Sequence, residues 1–279
     1  MGDYAALQLD TRLRRLYPTR LPIMTRCPPG EVIVRVAYAG ICHTDLAILQ
    51  GDFQIDCDRL VLGHEISGIV SGVGKEVNWL RIGDKVAVNP NSKCERCAVC
   101  LHEEMGAPAE ASVGVERDGG WAEFCLVPQS QLHLLPSDVP LKQGLGYEMI
   151  DHNELCNKTF DLAIDCTGDA MIQQEAAHAL GFGGHLLIFR SNSVKDRLCL
   201  SPFNIFTNEI KVTGSLINPY AFGKALTWAS VLGHRYLDFN KLGVVSYPLK
   251  EYQEALETAK SDDAAKVVFE FDVSDVPTP

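Results

Sequence analysis

Residues 61–74 read VLGHEISGIVSGVG. From Ile66 to Gly74 the run is rich in β-branched residues and closed by glycine, which predicts a short strand. In front of it stand two adjacent metal donors, His64 and Glu65. They follow Gly63, a residue that lets another backbone come close. Upstream, GICHTDLAILQGDF (40–53) supplies a third donor, Cys42. A thiolate, an imidazole and a carboxylate are good zinc ligands. Asp45 is placed to orient a ligand histidine. Three protein ligands leave a fourth position open, as in a catalytic rather than a structural zinc site.

Strand signals surround this pair of motifs. EVIVRVAYAG (31–40), KVAVNP (85–90) and AEFCLVP (122–128) are short, β-branched and punctuated by Gly, Pro and Asp. That is the grammar of a small β-barrel or sandwich. After residue 145 the grammar changes. FDLAIDCTG (160–168) is a continuous apolar strand, of the kind buried on both faces of a parallel sheet. AMIQQEAAHAL (170–180) has helical spacing, GGHLLIF (183–189) and NEIKVTGSLI (208–217) read as strands, and YAFGKALTWASVLG (220–233) as a helix. The tail, residues 247–271, reads as a helix followed by one strand. The second stretch is therefore an α/β unit.

Composition narrows the function. The chain has 279 residues, enough for one large or two ordinary domains. Its 46% apolar and 22% charged residues fit a globular protein with a real core. A net charge of −11 sets it against a nucleic-acid groove, which needs a basic surface. No apolar run approaches the roughly 20 residues that cross a bilayer. The start, MGDYAALQLD, lacks a signal pattern, so the expected location is cytoplasmic. There the ten cysteines are reduced thiols or metal ligands rather than disulfides.

AGICHTDL, GHEISGIVSGVG, GDKVAVNPNSKCERCAVC and DGGWAEFCLVP together resemble the zinc-containing medium-chain alcohol/polyol dehydrogenase family, of sorbitol or arabinitol dehydrogenase type. The likeness runs from about residue 20 to the C-terminus with one large gap. Gly-His-Glu followed by Gly68, Gly74 and Val77 is its most specific part. The resemblance implies a chaperonin-10-like (GroES-like) β-barrel catalytic domain, residues 1–140 and 244–279. It also implies a truncated Rossmann-type parallel sheet, residues 145–243, so the fold class is α/β with β. Cys42, His64 and Glu65 are then the catalytic zinc ligands, and Thr44 passes on the substrate's hydroxyl proton. The zinc acts as a Lewis acid on a secondary alcohol or polyol while hydride moves to NAD or NADP. Phe189, Arg190, Ser191, Leu216, Ile217 and Asn218 match family positions near the nicotinamide half. A small-molecule alcohol or polyol is the implied partner, with no nucleic acid or membrane. A homo-oligomer and a hetero-oligomer with a complete relative are both open to the chain.

Departures from the family pattern accompany the likeness. Cys94, Cys97 and Cys100 match a structural zinc lobe, but Pro108 stands where the family has its fourth cysteine. Two readings stay open: a zinc completed by His102, Glu103 or Glu104, and three reduced thiols. Ala47 stands where relatives often carry a proton-relay histidine. The dinucleotide fingerprint Gly-x-Gly-x-x-Gly, which builds a phosphate site at a helix N-terminus, does not occur in the sequence. LPSDVP (135–140) resembles the end of the catalytic domain and LGYEMID (145–151) the third strand of the dinucleotide domain. Only Leu141–Gly144 separate them, where one βαβ unit alone takes roughly 30 residues. The expectation is an internal deletion at Gly144–Leu145. It removes sheet strands 1 and 2, leaves FDLAIDC short of a neighbour, and leaves the protein's own turnover in doubt.

Overall fold

The computed structural model describes residues 2–53, 55–90, 111–136, 139, 160–190, 192–193, 195–215, 222–236, 242–261 and 263–274. The chain divides into two compact units, Met1–Tyr147 with Asn218–Pro279, and Glu148–Ile217. The sequence reading puts the second boundary at 243; here residues 218–243 fall with the first unit.

In the first unit β1 (Asp3–Asp10) and β2 (Arg15–Pro22) form an antiparallel hairpin. Then come β3 (Glu31–Ile41), α1 (His43–Gln50), β4 (Arg59–Val61), β5 (Ile66–Val73) and β6 (Lys85–Val88). β7 (Phe124–Pro128) and β8 (Leu132–Leu134) follow. A seven-stranded sheet runs β12-β13-β3-β5-β6-β8, with β7 also paired to β3, and a three-stranded sheet runs β2-β1-β4. In the seven-stranded sheet, β12 (Val244–Tyr247) and β13 (Lys266–Glu270) come from the far end of the chain and flank α5 (Tyr252–Lys260).

β3 organises this unit. It pairs with β5, β7 and β13, and Val32, Val34, Val36 and Ala39 are all fully buried. Burying each valine contributes about 1.5 kcal/mol. Trp121 and Phe269 meet edge to face in the same core, 5.4 Å between ring centres. α1 stops at Gly51, whose φ of 87° lies in the left-handed region. Its N–H bonds to the carbonyls of Ala47 and Ile48. A Cβ there would be strained and would also overlap the Arg14 guanidinium.

The second unit is a parallel sheet of β9 (Phe160–Asp165), β10 (Leu180–Ile188) and β11 (Lys211–Gly214), ordered β11-β10-β9. Helices α2 (Ala170–His178) and α3 (Pro202–Asn208) lie between the strands in sequence. Its core is Ala177, Leu180 and Leu186, with Phe160, Ala163 and Ile188 packed against it. One expectation is corrected here. β9 is not buried on both faces: Leu162 is 52% and Ile164 45% exposed. Side chains alternate across a sheet, and the unit's apolar cluster takes only the face that carries Ala163 and Leu186.

The remaining helix, α4 (Phe222–Tyr236), sets Leu226 against Ala87, Leu135 and Val139 of the first unit. The N-terminal hairpin and α3 are absent from the sequence reading. α3 carries the signature of a helix start: Ser201 Oγ accepts from Asn204 N at 3.4 Å, and Pro202 follows.

Candidate metal centre

Three short segments of the first unit converge on one point. Cys42 is the residue at which β3 gives way to α1. His64 and Glu65 lie between β4 and β5. Their donor atoms all fall within 4.8 Å of one another, all partly buried, and among the described residues they are the one His/Cys/Asp/Glu group so arranged.

The fully buried Asp45 carboxylate ties these segments together. Its Oδ2 accepts from Cys42 N at 2.8 Å, and its Oδ1 accepts from Gly63 N at 3.2 Å. The same Oδ1 lies 3.5 Å from His64 Nδ1. An imidazole whose Nδ1 faces a carboxylate is oriented to offer its other nitrogen to an ion. Burial works against charging His64, yet Asp45 beside it, with Cys42, holds its pKa well above the ordinary imidazole value. Thr44 Oγ1 is 3.9 Å from the Cys42 thiol.

A residue outside the sequence reading completes the site. Lys266, the first residue of β13, places Nζ 2.5 Å from Glu65 Oε2. Burial disfavours its charge, but Glu65, with Cys42, more than offsets that, and its pKa is raised. A lysine opening an apolar strand reads in sequence as an ordinary edge charge. Only the β13–β3 register, Val267 opposite Ile41 and Val268 opposite Gly40, brings it to the site.

The residues fit a zinc ion. Thiolate, imidazole and carboxylate are a zinc donor set. His64 Nδ1 and Glu65 Oε2 are buried without a hydrogen bond, the second facing only the Lys266 ammonium. Backbone glycines make the room: a Cβ on Gly40 would overlap Glu65 Oε2, and one on Gly63 would run into the Trp121 ring.

Phe189 and Arg190 lie at the carboxyl end of β10 in the second unit. Phe189 N donates to Asp165 O at 2.9 Å, and Arg190 Nη1 donates to Cys166 O at 3.4 Å. Ser191, Leu216, Ile217 and Asn218 lie outside the described residues, as do Cys94, Cys97 and Cys100 with their lobe and the Gly144–Leu145 junction. Among the described residues no helix is long and apolar enough to cross a membrane.

Residues 28–137 match the alcohol dehydrogenase GroES-like domain. An alcohol dehydrogenase of Schizosaccharomyces pombe is 40% identical over 119 residues, 41% of this chain and 34% of that protein. D-altritol 5-dehydrogenase of Agrobacterium fabrum is 26% identical over 259 residues, 67% of this chain and 77% of that protein. The chain thus spans about a third of the first of these relatives. The fold is similar to that of a short chain alcohol dehydrogenase from Escherichia coli, complexed with NADH. The TM-score is 0.81 at 19% identity, covering 97% of this chain and 100% of that one. The architecture is accordingly a GroES-like domain with, among the described residues, a three-stranded parallel sheet of Rossmann type in the second unit. Residues 28–137 thus carry an alcohol dehydrogenase GroES-like domain, and the chain is similar over parts of its length to alcohol and polyol dehydrogenases.

Proposed function

We propose that the chain is a zinc-dependent oxidoreductase that moves hydride between a secondary alcohol or polyol and NAD(P). The observation that carries this reading is the convergence of the Cys42, His64 and Glu65 donor atoms within 4.8 Å of one another. When bound, zinc supplies Lewis acidity that favours the deprotonated form of a substrate hydroxyl. Cys42, His64 and Glu65 hold the ion. Asp45 fixes the orientation of His64 and the start of α1. Thr44, beside the Cys42 thiol, takes the hydroxyl proton, and with Ala47 in the relay position water carries it onward. Phe189 and Arg190, with Ser191, Leu216, Ile217 and Asn218, contact the nicotinamide half of the cofactor.

A second reading rests on the missing Gly-x-Gly-x-x-Gly. The alignment to D-altritol 5-dehydrogenase runs 259 positions while using 67% of this chain, so residues of that relative have no counterpart here. Without the fingerprint the chain lacks backbone donors for a pyrophosphate. It is then a zinc-binding form with weak cofactor affinity, acting with a full-length relative.

Metal analysis with NADH titration and a polyol assay separates the two. About one zinc per chain, lost in Cys42→Ala/His64→Ala, is expected from either. Micromolar NADH binding with steady turnover establishes the enzyme. Zinc without turnover establishes the second reading. Zinc content unchanged in the double variant removes both.

A further inference from the structure

One side chain touches the backbone at both Gly40 and Gly63, the glycines that lead into the donor segments. Trp121 is fully buried, in the stretch ahead of β7. Its Nε1 donates to Gly40 O at 3.1 Å, two residues before Cys42. Gly40 is also where the Glu65 carboxylate rests, and Gly40 N donates to Glu65 O at 2.9 Å. The indole edge fills the space a side chain on Gly63 would take, directly before His64. The backbone N–H of Trp121 donates to Leu62 O at 3.0 Å. The ring also meets Phe269 of β13 edge to face, at 83°.

Neighbours of Trp121 act on the same segment. Asp118 Oδ1 accepts from Val61 N at 2.8 Å, Gly119 N donates to Val61 O at 2.8 Å, and Gly120 N donates to Gly63 O at 2.8 Å. A Cβ on Gly114 or Gly119 would collide with the Gly63 backbone. The donors are therefore flanked by glycines, soft positions in an isolated chain. A metal centre needs its ligands held within about 0.5 Å of productive geometry. Gly63, with φ of 91° in the left-handed region, packs directly against the indole ring.

We propose that Trp121 is a positioning residue of the metal centre, whose ring and N–H fix Gly63 and Gly40 and so preset His64, Glu65 and Cys42 before the ion arrives. The proposal rests on the zinc reading given above. Presetting a site raises affinity by removing the ordering cost from the binding step.

The test is cobalt(II) titration, followed by visible absorption, with zinc affinity measured by chelator competition. Both are run on the full chain, wild type and Trp121→Phe. Phe keeps an aromatic ring and loses the bond to Gly40. The expected result is a folded variant whose zinc affinity falls about tenfold or more, the usual effect of losing a partner behind the ligands, with shifted cobalt bands. A lowered melting temperature with unchanged affinity and unchanged bands would overturn the proposal, leaving Trp121 as core packing alone. If Trp121→Phe does not fold, Phe269→Leu removes the ring packed edge to face on the indole while leaving residues 61–65 and Trp121 unsubstituted. A loss of affinity with shifted bands is expected there too, and wild-type values would overturn the proposal. Wild-type protein that takes up neither metal removes the zinc reading itself, a result distinct from a failure of Trp121 alone.

Discussion

Glu65 has two claims on its carboxylate, an ion and the Lys266 ammonium 2.5 Å away. Replacing Lys266 by Met leaves Glu65 without its partner. An exposed pair is worth under 1 kcal/mol and a broken buried pair costs 3–5; for this partly buried pair we expect about 2 kcal/mol lost from the metal-free protein. Zinc then stabilises the variant more than the wild type, because the ion faces no competing cation. Urea unfolding with and without zinc checks both points, and equal zinc-induced shifts in the two proteins would refute the competition. Cys42, His64 and Glu65 are legible in sequence because the donors sit in two local motifs whose residue types already state the chemistry. Lys266 and Trp121 are not. Each meets the site only through strand pairings made far along the chain, and a lysine or tryptophan in an apolar run carries no mark of what it will face.

Strands and helices of the second unit show a similar limit. The apolar run from 160 to 165 states that a strand forms, and β9 is there. It does not state which face will be covered, because that depends on helices supplied elsewhere. The carboxyl end of β9 is held by a buried polar network instead. Asp165 accepts from Thr167 N at 2.9 Å, from Thr167 Oγ1 at 2.6 Å and from Gln173 Nε2 at 2.6 Å. Gln173 of α2 in turn donates to Asn192 Oδ1 at 2.7 Å. Burial raises the Asp165 pKa, but the hydrogen bonds from Thr167 and Gln173 outweigh it and the net shift is downward. A carboxyl depressed in the folded state stabilises the fold above its unfolded pKa, and that contribution is lost as pH falls through the folded value. Asp165→Asn is therefore expected to cost about 1–2 kcal/mol at neutral pH. The penalty shrinks as the medium is acidified below the ordinary carboxylate range. Thermal unfolding across pH would show it; a penalty independent of pH would mean the charge is not what matters.

Across the whole molecule, the grammar of short strands and then α/β alternation anticipates two kinds of structure, and both are present. The amphipathic pattern of α4 says that a face is buried but not that Ala87, Leu135 and Val139 cover it. All the metal donors belong to the first unit, so chelation should lower amide protection in β3, β5 and β13 and leave β9–β11 unchanged. Hydrogen exchange with and without chelator reads this directly, and uniform loss across both sheets would contradict it. The pairing of β13 with β3 has a further consequence in the life of the chain. Tyr38 of β3 bonds to Glu270 of β13 across 232 positions, so on the ribosome the central strand waits for nearly the whole sequence before that side is closed. Loop closure over such a span is slow. During that interval the nascent chain already displays Cys42, His64 and Glu65, while Lys266 has yet to be translated. Metal delivered during synthesis meets a carboxylate with no rival cation; metal delivered to the finished protein must displace one.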